Sequence, residues 1–279
     1  TQTNTGRFME VIALKNQSVL EITGRDAIKF FQGYCTCNLD DLAPGKSLLG
    51  AITNIQGRVE TTFIAALDSN HQLTDSPGQS LLISMRRDMV QPTIQLLKQY
   101  IVFSKANLVD RSDDLFCYGR LSCAPLEGQF TVEIDQRPGR QELWTDQILS
   151  TALSDTQWQE KDIADGLIWI NQAQEGRFQP FELGLSSNGA VDFQKGCYLG
   201  QEIIARVHYR GKPKKVLIQV IAEDDCILGQ SIYSDDNTVC GEIVAAVKTE
   251  SGALCAAVID SAIRSRSLHT ETAKLTILH

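Results

Sequence analysis

The sequence predicts an α+β protein that ends in a small β-barrel, and three observations lead there. Segments with helical and with strand periodicity are mixed through the first two hundred residues, whereas from Lys215 onward only strand-like runs remain. The composition is that of a globular chain, with 43% hydrophobic and 22% charged residues in a length of 279. That length suits one large domain or two to three small ones.

In chain order, VIALKNQSVLEI reads as two short strands about a turn, and RDAIKFFQGY as a short helix opened by Asp26 and packed through Ile28 and Phe31. ITNIQGRVETTFIAAL is a strand turned at a glycine, and LLISM another strand. RDMVQPTIQLLKQYIV is an amphipathic helix with Asp88 at its start, Pro92 in its opening turn, and Ile94, Leu97 and Ile101 on one face. The runs LFCYGRL, FTVEI and ELW are strand-like, separated by Pro and Gly. TDQILSTAL and TQWQEKDIADG suit two further short helices. KVLIQVIA, QSIYS, EIVAAVKT and ALCAAVI, parted by turn formers such as SDDN and ESG, make up the barrel.

No apolar run approaches the roughly 20 residues a membrane helix needs, and the opening TQTNTGRFME lacks the basic and apolar regions of a signal peptide. A cytoplasmic protein with no membrane association is the expectation. The eight cysteines (Cys35, Cys37, Cys117, Cys123, Cys197, Cys226, Cys240 and Cys255) are scattered, as reduced thiols acting mostly as small buried hydrophobes would be. A net charge of −8 argues against direct tRNA binding, so an anionic ligand has to be met by a local basic patch.

One stretch concentrates chemistry: FQKGCYLGQEIIARVHYRG, residues 193 to 211. Gln201 and Glu202 follow Gly200 into a short helix carrying Ile203, Ile204 and Val207 at helical spacing, where Glu202 complements the helix dipole. Cys197 sits just before that start and beside Lys195, two features that favour a thiolate. Arg206, His208, Arg210, Lys212, Lys214 and Lys215 supply the local basic patch. No cysteine or histidine spacing fits a metal, and there is no phosphate loop or nucleophile elbow. The residues alone therefore indicate an anionic-ligand site with a candidate active thiol, and no reaction.

KGCYLGQE followed by ARVHYRG resembles the signature of the YgfZ family, folate-binding proteins related to the glycine-cleavage T-protein (aminomethyltransferase) and linked to iron–sulfur cluster maintenance and tRNA modification. ITGRDAIKFFQGYCTCNLDDL, LKQYIVFSK and GLIWINQAQEGRFQPFELGLSSNGAVDF match further blocks in the same order, so the resemblance covers most of the chain. It implies a three-domain ring: a discontinuous first domain over residues 1–45 and 115–208, an inserted second over 46–114, and a C-terminal β-barrel over 209–279, with folate in the central opening.

The resemblance also implies roles. Tetrahydrofolate or a one-carbon derivative is the cofactor, and Trp158 aligns with a tryptophan that holds it, with Gln17 standing where some relatives carry a second aromatic. Lys195, Tyr198, Gln201 and Glu202 belong to the signature, Arg206 or Arg210 would meet the folate carboxylates, and Cys197 is the functional thiol. Trp144 and Trp169 have no such alignment and are expected in the core. T-proteins carry a pair of aspartates in the segment matching GRVETT (57–62), where this chain has Thr61 and Thr62, with Glu60 expected on the opposite strand face. Those differences favour support of iron–sulfur enzymes such as a tRNA methylthiotransferase, and the alternative is a folate-dependent aminomethyltransferase.

Overall fold

The protein, seen in a computed structural model, is described over residues 11–68, 80–121, 132–137, 139–151, 153–263 and 267–278. The opening TQTNTGRFME, Cys123 and the first two residues of FTVEI lie outside these. In order the elements are β1 (Ile12–Ala13), β2 (Gln17–Thr23), α1 (Ala27–Gln32), β3 (Ser47–Thr53), β4 (Val59–Leu67), β5 (Leu81–Arg86), α2 (Arg87–Lys98), β6 (Asn107–Asp110), β7 (Phe116–Arg120), β8 (Val132–Arg137) and β9 (Arg140–Thr145). Then come α3 (Thr156–Ala164), α4 (Gln201–Arg210), β10 (Lys215–Ala222), β11 (Ser231–Ser234), β12 (Val239–Thr249), β13 (Gly252–Asp260), β14 (Leu268–His269) and β15 (Lys274–Ile277).

Three sheets organise them: β1-β7-β9-β8, β3-β4-β5-β2-β6, and a closed barrel β10-β13-β12-β11-β14-β15. The barrel occupies the strand-only region, as the pattern there predicts. A segment boundary at residue 45/46, in contrast, is crossed by hydrogen bonds. Strand β2 lies between β5 and β6, so the second sheet draws one strand from before the 46–114 segment. The run QSVLEIT is buried along its whole length, as a central strand packed on both faces must be.

Two local expectations change. TDQILSTAL is not helical in its described residues: β9 runs to Thr145, Ile148 is exposed, and the Leu149 amide donates to the Tyr118 hydroxyl at 2.9 Å. A short run with a single buried side is held there by one tyrosine instead of by a helical face. Helix α2 stops at Lys98, Ile101 begins a separate 3-10 turn, and Pro92 lies within the helix beyond its opening turn. Helix α3 and helix α4 form where their periodicity places them. No helix among the described residues is long and apolar enough to cross a membrane.

Candidate functional site

A cavity of about 420 Å³ opens between the second sheet, α3 and the barrel. Gln17 of β2, Arg86 at the end of β5, Trp158 and Asp162 of α3, Trp169, and Val244 to Ala246 of the barrel strand β12 all line it. Its size is within the range of small-molecule sites. Gln17 and Trp158, both singled out from the sequence, thus line one cavity.

Trp158 is 2% exposed. The Arg140 guanidinium lies over its ring at 4.7 Å from the centroid, and a Cβ on Gly119 would come within 2.5 Å of the ring on another side. A ring this buried and covered by Arg140 leaves no open face for a ligand to stack on. Its indole N–H is buried and has no partner among the described residues. The aromatic wall falls instead to Trp169, which is half-buried and lines the same cavity, so its assignment to the core is corrected. Trp144 is fully buried and donates to Glu142 at 2.9 Å, as a core residue.

Asp162 is the residue that sequence reasoning missed. Its carboxylate accepts from Arg140 Nη1 at 2.7 Å through one oxygen and from Trp169 Nε1 at 2.9 Å through the other. Burial raises its pKa to about 6, outweighing the Arg140 guanidinium that favours the charged form. Each oxygen keeps a further lone pair for a ligand. The available signal was the i, i+4 spacing of Trp158 and Asp162 on α3, which puts both on one helix face.

The signature folds elsewhere. Lys195 turns inward and donates to the backbone carbonyls of Gln32, Cys35 and Cys37, while Tyr198 is buried beneath it and Cys197 between them is left exposed. Burial, then the Cys35 and Asp192 charges, push the Tyr198 phenol up to about 12. Lys195 is therefore an internal anchor, not a free cation for a ligand. Cys197, Tyr198, Gln201 and Glu202 line a separate groove of about 800 Å³ with Tyr34 and Phe103. Cys197 and the Trp158 cavity are therefore different sites. Arg206 and Arg210 are exposed on α4 and line neither.

Strand β4 offers the central cavity no carboxylate. Thr62 Oγ1 donates to the Ile168 carbonyl at 2.7 Å and accepts from the Ile170 amide at 3.0 Å, and Thr61 is fully buried. Glu60 is bound by the Asn54 side chain at 2.5 Å. Beside it Glu175 has its pKa raised, by burial and then by the Glu60 charge.

No family model matches the chain. It is 26% identical over 286 aligned positions to the tRNA-modifying protein YgfZ of Escherichia coli, covering 90% of this chain and 85% of the relative. An uncharacterized protein of Haemophilus influenzae is 27% identical over 228 residues, 80% of this chain and 78% of the relative. Among solved structures, the glycine cleavage system aminomethyltransferase T from Bartonella henselae superposes with a TM-score of 0.69 at 10% identity, over 96% of this chain and 84% of that one.

Proposed function

We propose that this chain, a homologue of the YgfZ proteins with the fold of a glycine-cleavage aminomethyltransferase, binds a reduced folate in its central cavity and in that state supports iron–sulfur enzymes acting in tRNA modification. The observation that carries the reading is the carboxylate in that cavity: Asp162, fixed by Arg140 through one oxygen and by Trp169 through the other. A pterin suits it, because its aminopyrimidine edge presents paired N–H donors for a carboxylate and its flat face packs on an aromatic wall such as Trp169. Gln17 and Arg86 lie in the same wall and supply further polar contact, Arg86 through the part of its guanidinium left over from the Asp88 ion pair at 3.1 Å. When bound, a folate would supply one-carbon or redox chemistry, while the chain's own residues bind it, orient it and exclude water.

Titration with 5-formyltetrahydrofolate, read by calorimetry, tests this. Trp169→Ala is expected to weaken binding roughly 5-fold to 100-fold, since one stacked heteroaromatic is worth about 1 to 3 kcal/mol. Affinity should also depend on pH. The paired donors need Asp162 ionised, so below its pKa of about 6 affinity falls, approaching about tenfold per pH unit. Asp162→Asn should bind weakly at every pH with a flat profile. An unchanged affinity in folded Trp169→Ala and a flat wild-type profile would together remove the ligand from this cavity.

The aminomethyltransferase alternative has the fold in its favour and the site against it. Thr61 is buried and the Thr62 hydroxyl is spent on the backbone, so the acidic partner expected for proton handling at the folate amine is missing from β4. Purified protein should release no ammonia from an aminomethylated lipoyl carrier in the presence of tetrahydrofolate. Robust release would restore the alternative.

A further inference from the structure

Two buried cysteines and a buried lysine meet beneath the signature loop, apart from the folate cavity. Lys195 Nζ donates to the carbonyl oxygens of Gln32, Cys35 and Cys37 at 2.8, 2.8 and 2.7 Å, and lies 3.6 Å from Cys35 Sγ. Three protons already serve three carbonyls, so the sulfur is held mainly by charge. Cys35 Sγ also lies 3.4 Å from the Cys37 carbonyl oxygen, to which its thiol donates, so the two cysteines share one tight loop. Burial by itself would raise Cys35, yet the Cys37 hydrogen bond and the Lys195 ammonium bring it below the ordinary thiol value. Cys37, giving that hydrogen bond and buried as well, is pushed well above it. An unequal pair of this kind has one sulfur prepared to attack and one prepared to wait. Cys37, and not the fully buried Cys35, lines a cavity of about 450 Å³ together with Asp192 and His208, so a molecule as small as peroxide comes to the pair from the Cys37 side.

We propose that Cys35 and Cys37 form an oxidisable dithiol for hydrogen peroxide, and that their disulfide unseats Lys195 and with it the loop bearing Cys197. The Cys35 thiolate attacks one peroxide oxygen, the O–O bond breaks, and the departing hydroxide takes a proton to leave as water. The Cys37 sulfur then attacks the resulting sulfenic sulfur, the S–O bond breaks, and the Cys37 proton completes a second water. Two thiols and one peroxide give one disulfide and two waters. A disulfide needs its Cβ atoms about 3.8 Å apart. Between residues separated only by Thr36, that closure turns the backbone that now aims both cysteine carbonyls at Lys195. Thr36 is itself tied across the loop, its side chain donating to the Ala190 carbonyl at 2.6 Å and its carbonyl accepting from the Asp192 amide at 2.9 Å. The change therefore reaches the 190–199 segment directly.

The test treats the full chain with peroxide, blocks remaining thiols with iodoacetamide, and examines the tryptic peptide 30–46, bounded by Lys29 and Lys46 and holding both cysteines. That peptide should lose two hydrogens and escape alkylation, and Cys197 should alkylate severalfold faster in the oxidised protein than in the reduced one. Folded Lys195→Met should form the disulfide roughly tenfold more slowly, because the thiolate loses its counter-charge. Should that variant not fold, Cys37→Ser gives an independent reading, since Cys35 should then accumulate as a sulfenic acid trapped by dimedone. A peptide that stays fully alkylatable after peroxide, or Cys37→Ser without the dimedone adduct, would overturn the dithiol. An unchanged Cys197 rate would overturn its coupling to the loop.

Discussion

Arg140→Met should destabilise the protein by about 3 to 5 kcal/mol at neutral pH, the range for leaving one partner of a buried ion pair alone. Arg140 is 1% exposed. Its Nη1 holds Asp162 at 2.7 Å, its Nη2 lies 3.2 Å from Asp165, and its plane covers Trp158. Methionine replaces the packing but not the charge. Asp162, whose pKa burial has already raised to about 6 even with the guanidinium present, would rise further. An acid with a raised folded pKa lowers stability above that pKa and is relieved as the pH falls through it. The deficit of the variant should thus be largest near pH 8 and smallest near pH 5, in urea denaturation at both. A loss below about 1 kcal/mol, independent of pH, would mean that the pair is not what fixes Asp162.

Gly200→Ala should cost about 2 to 4 kcal/mol and disturb the Cys197 groove. Gly200 has φ of 82°, a left-handed conformation that costs an alanine about 1 to 2 kcal/mol. Its added Cβ would also press into the Asn54 carbonyl and close on Thr53 Oγ1 at 3.0 Å. Overpacking against backbone contributes a further 1 to 3 kcal/mol or so. Gly45→Ala separates the two causes, because Gly45 has a similar φ of 74° and nothing within 4 Å of its Cβ position. Equal losses in thermal unfolding of both variants would show that strain alone acts at Gly200.

The barrel and α4 were legible because their apolar periodicity is local and uninterrupted. Placement of β2 in the middle of the second sheet was not, since a buried strand announces that it is covered and not what lies beside it. The site divides in the same way. The resemblance to the YgfZ family brought out Trp158, and its signature Lys195 and Cys197, but a resemblance marks positions and not directions. One inward turn at Lys195 sends the ammonium to the 35–37 loop, and one arginine from β9 takes the face of Trp158. Arg140 is remote from α3 in sequence, so nothing local marked Asp162 as the partner of a buried cation.

Strand β12 carries a register shift between Ile243 and Ala245, and the extra residue, Val244, turns its carbonyl out of the barrel to accept from Gln174 Nε2 at 2.9 Å. The same residue and its two successors wall the central cavity. The barrel's seating on the rest of the molecule thus depends on a count of residues as well as on their kinds. Deleting one residue here would restore the ladder, withdraw that carbonyl and reset the distance between the barrel and α3. Relatives that differ in length at this strand would present a cavity of different width with the same lining residue types, a change that comparison of those residues alone would not detect.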